Sequence, residues 1–188
     1  QETSSIENAL EIALTYHLVD SNHSLQNENT KTVRLSDGTK AQVQIVGFKA
    51  DTLTDEGFPA GITFMFRTPI AVRPVNDSAA TGGWEQSSLR EWLAGEGMAT
   101  LPNPLHHQIR SVRKLTNNTG ATKEAASITV TDDKLWLPSM SELCGYQAPE
   151  TFAEGFEYLS ALYSGEGDQY QLYREQGVSG LTANNTMI

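Results

Sequence analysis

A thiol and two adjacent imidazoles are the side chains of this sequence best suited to covalent chemistry. Cys144 is the only cysteine, and His106 and His107 lie together in a segment that we predict to be helical. A cysteine nucleophile needs a nearby base or cation that stabilises its thiolate. No cationic residue flanks Cys144 in its short predicted helix, so we interpret the side chain as a packed thiol.

The histidine pair has the wrong spacing for chelation of one metal ion. Neighbouring residues of a helix project about 100° apart, whereas chelating histidines stand four residues apart on one face. We therefore expect His106 and His107 to be solvated. His17 lies on the apolar stripe of an N-terminal helix and is interpreted as a core or boundary residue. Ser87 and Ser88 lack the Gly-x-Ser-x-Gly context of a nucleophile and are interpreted as helix caps.

Three acidic segments carry oxygen atoms of the kind that Ca²⁺ binds. They are Asn76-Asp77, Asp132-Asp133 and Glu166-Gly167-Asp168. None matches the ligand spacing of an EF-hand, and acidic loop residues are common in so acidic a chain. No glycine-rich phosphate loop joins a strand to a helix. We therefore assign no catalytic, cofactor-binding or metal-binding residue, and we predict no cofactor.

Charge and composition restrict the class of partner. The 188 residues carry a formal net charge of −10, which repels phosphate backbones and anionic lipids, so we predict no nucleic-acid partner. A single cysteine excludes an internal disulfide and a cysteine-based zinc site. No apolar run is long enough to cross a bilayer, so we predict no membrane insertion. Because the chain begins with Gln1, we expect it to follow a cleavage or to be an excerpt of a longer chain.

The segment from Gly82 to Leu93 is the predicted structural anchor. Leu89, Trp92 and Leu93 have the spacing that places apolar side chains on one helical face, and Gly95 is expected to end the helix. Ser88 and Glu91 can form a capping box, and a start near Glu85 is the alternative. We expect this helix to lie in the core. The predicted contacts join Trp84, Leu89, Trp92 and Leu93 to Ile62, Phe64 and Leu135.

The remaining elements follow from local signals. We predict a hairpin from Thr32 to Phe48 that turns at Asp37-Gly38, a central strand over Ile62 to Phe66, and a strand from Ile128 to Leu137. Capping signals predict several helices. They run from about Ser4 to Val19, from Asn103 to Val112 with Leu105 and Ile109 buried, after the capping box Ser139–Glu142, after Thr151 with Glu154, and over Gln169 to Glu175 with Asp168 as its cap.

Together these elements predict an α+β fold. We expect a twisted antiparallel sheet with two central helices, and an N-terminal amphipathic helix appended to it. Residues 1–30 would form that helix and a linker, and residues 31–188 would form the α+β domain.

Several motifs occur in an order that resembles a known family. They are Ile45-Val46-Gly47-Phe48, Ala60-Gly61-Ile62-Thr63-Phe64, Gly82-Gly83-Trp84-x-x-Ser87-Ser88-x-Arg90-x-Trp92-Leu93, Leu101-Pro102, Ile109-x-x-Val112-x-Lys114-x-Thr116, Thr131-Asp132-Asp133-Lys134-Leu135-Trp136-Leu137-Pro138-Ser139-x-x-Glu142 and Gly165-Glu166-Gly167-Asp168-Gln169-Tyr170. From about Val33 to Tyr173 the chain resembles an uncharacterised family of bacterial and phage domains, a domain of unknown function that is frequent in surface proteins of gut bacteria.

The resemblance implies an architecture and no binding residues. The C-terminal pattern of that family is similar to the C-type-lectin-like and formylglycine-enzyme-like folds. Because the sequence stops at Ile188, before this pattern, we expect an incomplete version of a lectin-like fold.

The predicted function is non-catalytic recognition or adhesion outside the cell, in a bacterial surface protein or a phage-related protein. The partner would be a protein or a glycan, and the N-terminal helix or an open sheet edge would allow self-association. The alternative is a hydrolase or other enzyme whose site looks ordinary in sequence. A histidine or carboxylate within hydrogen-bond reach of Cys144 or of a serine would favour the enzyme.

Overall fold

A computed structural model of the chain describes Leu25 and residues 30–77, 82–117, 128–146 and 163–179. Strands and short helices alternate along these residues, which confirms the predicted α+β class. The elements are β1 (Thr30–Arg34), β2 (Lys40–Phe48), β3 (Thr52–Leu53), β4 (Ile62–Phe66), α1 (Ser88–Trp92), a π-helical turn (Leu93–Gly97), α2 (Asn103–His106), β5 (Val112–Asn117), β6 (Ile128–Asp133), α3 (Met140–Cys144) and α4 (Gln171–Glu175).

The predicted hairpin is present and begins an antiparallel sheet of order β1-β2-β4. Its turn depends on two residues. Gly38 has a φ of +87°, which residues with a Cβ rarely adopt. Asp37 Oδ1 accepts hydrogen bonds from the backbone nitrogen of Thr39 at 2.8 Å and from its hydroxyl at 2.7 Å. These bonds to the charged form hold the pKa of Asp37 below its ordinary value.

The first sheet packs on α4. A bulge between Ile45 and Gly47 interrupts the pairing of β2 with β4, so that Ile45 and Val46 are both buried although they are adjacent. The core cluster at this end combines residues of β2 with α4 and its N-terminal neighbour. Its buried members are Leu25, Ile45, Val46, Tyr170 and Leu172. Leu25 thus contributes to the core from within the segment that we predicted to be a helix and linker.

A second core cluster lies at the other end of the hairpin. Leu35, Ala41 and Leu101 are buried there, and partly buried side chains surround them. These are Val33, Phe66, Ile70, Met98, Ile109 and Leu135.

The strand β4 differs from its prediction. We expected a central strand that was buried on both faces, but β4 pairs with β2 alone within the described sheet. As a result Phe64 is 55% exposed and cannot be a core contact of the anchor helix.

The second sheet has the order β3-β5-β6 and is antiparallel. Its buried face is largely polar. Val112, Lys114 and Thr116 of β5 are buried, while Leu115 and its cross-strand partner Val130 are 41% and 53% exposed.

The anchor helix also begins and ends differently. Ser87, not Ser88, is the N-cap, and its hydroxyl accepts a hydrogen bond from the backbone nitrogen of Arg90 at 3.1 Å. The chain passes Gly95 in the π-helical turn, so this glycine does not end the helix. Trp92 is half-buried and packs against Gly97, where an added Cβ would lie 3.0 Å from the indole.

The two tryptophans are therefore not core residues. Trp84 is half-buried like Trp92, and both indole nitrogens donate to carboxylates, Trp84 to Asp133 at 3.0 Å and Trp92 to Glu96 at 2.8 Å. Arg73 stacks on the indole of Trp92, 4.7 Å from its centroid. Of the anchor-helix side chains predicted to be buried, Leu93 is in the core and Leu89 is half-buried.

The second predicted helix is only one turn long. α2 has Pro102 rather than Asn103 at its N-cap, and Val112 starts strand β5 instead of continuing a helical row. The strand predicted to reach Leu137 ends at Asp133.

The helix α3 agrees with its prediction. Ser139 and Glu142 form the expected capping box, and Gly145 follows the last turn. α4 instead has Tyr170 at its N-cap, so Asp168 does not cap it. The helices predicted near Ser4–Val19 and Thr151–Glu154 lie outside the described residues.

None of the helices within the described ranges is long and apolar enough to cross a membrane.

Candidate functional site

A cleft of about 480 Å³ opens between α1 with its π-helical turn and the C-terminal end of β6. The short helix supplies one wall, and the residues just after the last pairing of β6 supply the other. Its lining residues are Glu85, Gln86, Ser87, Arg90, Glu91, Leu93, Ala94, Met98, Ser111, Asp132, Asp133, Lys134 and Leu135.

An ion pair fixes the two walls to each other. Arg90 Nε of α1 lies 2.7 Å from Oδ1 of Asp133, the last residue of β6. The other oxygen of this carboxylate accepts hydrogen bonds from the indole of Trp84 at 3.0 Å and from the hydroxyl of Thr131 at 2.6 Å. Asp133 is 5% exposed and Arg90 is 28% exposed, so the pair is shielded from water on one side.

The cleft combines an apolar surface with an acidic rim. Leu93, Met98 and Leu135 are buried or half-buried and provide its apolar part. The exposed carboxylates of the rim belong to Glu85, Glu91 and Asp132, and the exposed cation is Lys134. With Asp133 paired to Arg90, the described residues that line the cleft place three exposed carboxylates and one exposed ammonium on its rim.

A second polar cluster lies beneath the surface, around Lys114 of β5. Its ammonium lies 2.6 Å from Asp51 Oδ1, forms an ion pair with Glu142 Oε1, and is 3.2 Å from the hydroxyl of Tyr170. The amine also lies over the ring of Trp136, 4.8 Å from its centroid. The side chains of Lys114, Asp51 and Glu142 are only 3–5% exposed.

Hydrogen bonds hold every oxygen of the two carboxylates in this cluster. Thr63 Oγ1 donates to Asp51 Oδ2 at 2.6 Å, and the backbone nitrogen of Ser139 donates to Glu142 Oε2 at 2.9 Å. Tyr170 OH lies 3.2 Å from Glu142 Oε1 and 3.4 Å from Asp51 Oδ1. The capping box of α3 thus has a second role, because it points one Glu142 oxygen at the amine.

Burial raises the pKa of two groups in this cluster, Glu142 and Tyr170. Desolvation raises the pKa of Glu142, and the neighbouring Lys114 ammonium offsets part of that rise. Desolvation likewise raises the pKa of the Tyr170 phenol, and the adjacent carboxylates of Glu142 and Asp51 raise it further. The Tyr170 hydroxyl is therefore protonated near neutral pH and can donate to either carboxylate.

The two clusters differ in what can reach them. The open cleft is accessible to a dissolved ligand. The rings of Trp136 and Tyr170 cover the Lys114 cluster, and its charged side chains are buried. These side chains therefore contact one another and not a dissolved ligand.

The structure does not join Cys144 to His106 or His107 by a hydrogen bond that would make the thiol a nucleophile. Within the described part of the chain, Cys144 is a half-buried free thiol, and His106 Nε2 bonds the backbone carbonyl of Leu101 at 2.9 Å. Ser87 caps α1, and Ser88 Oγ accepts from the backbone nitrogen of Asp77 at 2.9 Å. Ser87 therefore confirms its interpretation as a cap, whereas Ser88 is the first residue of α1 and its hydroxyl holds the preceding loop at Asp77.

The acidic segments have protein partners. Asn76 Oδ1 accepts from the backbone nitrogen of Ser88 at 3.4 Å, and Asp132 Oδ1 accepts from Thr54 Oγ1 at 3.1 Å. Asp168 is exposed. Among the residues that the structure describes, no group of three or more histidine, cysteine, aspartate or glutamate side chains could hold a metal ion.

Sequence reasoning missed both clusters. Lys114 was placed beyond a predicted helix, and Asp51 in a loop. The available signal was that Arg90, Lys114 and Tyr170 all belong to the motifs that carry the family resemblance.

Comparison with known proteins identifies one domain family. The model of one family, a domain of unknown function designated DUF6273, matches residues 60–179. No curated protein and no solved structure matches the chain. The matched range contains α1, β5, β6 and α3, and with them both walls of the cleft and most of the Lys114 cluster. Since this match covers more than half of the 188 residues, the chain belongs to the DUF6273 family.

Proposed function

We propose that this domain is a non-catalytic recognition module of an exported bacterial surface protein or phage-related protein, and that the α1–β6 cleft binds its ligand. One observation carries the proposal: the cleft joins an apolar surface to a rim of exposed carboxylates. Such a combination of apolar contact and a few charged groups is typical of ligand-binding sites.

The ligand that fits this chemistry is a basic segment of a partner protein. The alkyl part of a lysine or arginine side chain can lie on Leu93, Met98 and Leu135, while its cationic end reaches a rim carboxylate such as Glu85 or Glu91. The net charge of −10 attracts a cation from a distance and repels an acidic competitor.

Fluorescence anisotropy with labelled peptides tests this choice. The full 188-residue chain is titrated into three peptides of equal length, rich in lysine, in glutamate, or in serine and glycine. We expect saturable binding of the lysine-rich peptide that weakens as the salt concentration rises from 50 to about 500 mM, because screening reduces attraction between exposed charges. Equal binding of all three peptides would contradict a charged recognition site.

Matched variants test whether the lysine-rich peptide binds at the cleft. The double variant Glu85→Gln, Glu91→Gln removes two rim charges. It should weaken binding of the lysine-rich peptide about 5-fold to 30-fold, or roughly 1–2 kcal/mol in binding free energy. The control Asp55→Asn, Glu56→Gln removes two exposed charges that pair with Arg110 and do not line the cleft, and it should leave the affinity within about two-fold.

A glycan ligand and an enzymatic activity are the other outcomes. Saturable binding of a neutral oligosaccharide, with no binding of any peptide, would mean that the ligand is a glycan and not a basic protein segment. The recognition function would stand, in agreement with the lectin-like resemblance. Specific turnover abolished by Cys144→Ala or by substitution of either His106 or His107 would show that the domain is an enzyme.

A further inference from the structure

The amine of Lys114 and the carboxylate of Asp51 are placed as two reactants would be. Their reacting groups are in contact at 2.6 Å between Nζ and Oδ1, although the residues stand 63 positions apart in the chain. A third group, the Glu142 carboxylate, contacts the same amine. All three side chains are 5% exposed or less. The recognition function above does not use any of them.

We propose that Lys114 and Asp51 condense into an intramolecular amide, which joins strand β5 covalently to the segment that precedes β3. The new bond connects Lys114 Nζ to Asp51 Cγ. The bond between Asp51 Cγ and one of its oxygens breaks, and that oxygen leaves as water. No oxidant, reductant or other co-reactant is needed, and the net charge of the pair stays zero because an ammonium and a carboxylate become a neutral amide and water.

The proton transfers use groups already in contact. Glu142 takes a proton from the Lys114 ammonium, which frees the lone pair of the amine to attack Asp51 Cγ. Glu142 then returns protons to the departing oxygen and ends in its starting state. The hydroxyl of Tyr170, within 3.4 Å of both carboxylates, lies on the path between them.

Asp51, not Glu142, is the acceptor because of how the two carboxylates are held. The Thr63 hydroxyl donates to Asp51 Oδ2 at 2.6 Å, where it stabilises the negative charge that develops on this oxygen during attack. Glu142 is fixed instead by the backbone of Ser139 in the capping box, and its free side faces both the amine and the phenol. That position suits a group that moves protons.

The fixed and closed geometry of the site promotes the reaction in two ways. Fixed contact between reactants is worth an effective concentration on the order of 10⁵–10⁸ M. The closed site of Trp136 and Tyr170 also keeps out the water that would reverse the condensation.

Intact-mass spectrometry of the folded, full 188-residue chain tests the proposal. We expect the protein to be lighter than its sequence mass by one water molecule. After trypsin digestion, we expect residues 50–67 and 114–123 to appear as one linked species, with cleavage after Lys114 lost. The full sequence mass in the folded protein would overturn the proposal, and linkage of 114–123 to residues 135–174 would overturn the assignment of Asp51 by identifying Glu142 as the acceptor.

Two variants test the chemistry of each partner. Asp51→Asn keeps the acceptor shape but carries an amide, so its linked form should be lighter by one ammonia instead of one water. Glu142→Gln cannot move the proton and should retain the full mass, while the exposed control Glu91→Gln should link like the parent chain. A Glu142→Gln protein that links as completely and as fast as the parent would contradict the role of Glu142, and an Asp51→Asn protein that loses one water instead of one ammonia would contradict Asp51 as acceptor.

Discussion

At the scale of single residues, the organising features of this domain are two charged side chains that lie beneath the surface. Asp133 joins the walls of the cleft through Arg90, and Lys114 joins β5 to α3 and to the segment before β3. Neither was predictable from local pattern. A lysine or aspartate in a strand is normally exposed, and only partners distant in sequence make its burial favourable.

Substitution of Asp133 tests the joint between the cleft walls. Asp133→Asn leaves Arg90 without its ion pair and weakens the bonds from Trp84 and Thr131, so we expect a loss of about 2–4 kcal/mol in the free energy of unfolding. The neighbouring exposed variant Asp132→Asn is the control, with an expected change within about 0.5 kcal/mol. Urea denaturation measures both, and equal effects would contradict the structural role of Asp133.

The pH dependence of stability tests the environment of Glu142. Burial raises its pKa above the ordinary value of 4.5, so the folded protein holds this proton more tightly than the unfolded chain does. The contribution of Glu142 to stability is therefore greatest below about pH 4.5 and falls as the pH rises toward the folded pKa.

Comparison with the Glu142→Gln variant measures this contribution through its pH dependence, because an amide link present only in the parent adds an offset that does not change with pH. The variant lacks the titrating group, so the difference in unfolding free energy between parent and variant should shrink as the pH rises from 4.5 toward 7. Urea denaturation at several pH values gives that difference. A difference that grows over this range would mean that the pKa of Glu142 is lowered.

At the scale of elements, the sequence succeeded wherever the signal was local. The Asp37-Gly38 turn and the capping box of Ser139 and Glu142 are determined by residues within a few positions of each other, and both were predicted. Predictions failed where contacts between residues distant in sequence determine which side chains are buried. Strand β5 was missed because it buries Lys114 and exposes Leu115, the reverse of the pattern by which strands are recognised.

Hydropathy alone would predict a larger loss of stability on substitution of Leu115 than of Val112. The burial of the two residues in β5 predicts the opposite order. Val112 is 4% exposed and Leu115 is 41% exposed. We expect Val112→Thr to cost about 1–3 kcal/mol, since it replaces a buried methyl group with a hydroxyl, whereas Leu115→Thr should change stability by about 0.5 kcal/mol or less. Thermal or urea denaturation of the two proteins measures the order, and a larger loss for Leu115→Thr would contradict the register of β5 with β6.

The anchor helix shows the same limit on sequence reasoning. Its apolar spacing predicted a helix at the right place, but the burial of Trp84 and Trp92 was overestimated. Both indoles use their nitrogen to bind a carboxylate, and such a bond favours a position at the boundary between core and solvent. We accordingly expect Trp92→Ala to cost about 1–2 kcal/mol, less than the 3–5 kcal/mol typical of fully buried aromatic residues.

At the scale of the whole molecule, the negative charge and the two small sheets determine which surfaces are available to a partner. The net charge of −10 acts over the entire surface, and the rim carboxylates concentrate it at the cleft. Self-association through the N-terminal segment stays a prediction, and light scattering before and after deletion of residues 1–20 measures it. A smaller particle after the deletion, beyond the mass removed, would support it.

The measurement that most directly tests the cleft as a binding site is a nuclear magnetic resonance titration of the full chain with the lysine-rich peptide. We predict that the shifted resonances will be the indole N–H of Trp84 and the backbone amides of residues 85–94 and 132–135. Amides of β1 and α4, which do not line the cleft, should stay unchanged. Shifts confined to the hairpin or α4, with residues 85–94 and 132–135 unmoved, would contradict recognition by this cleft.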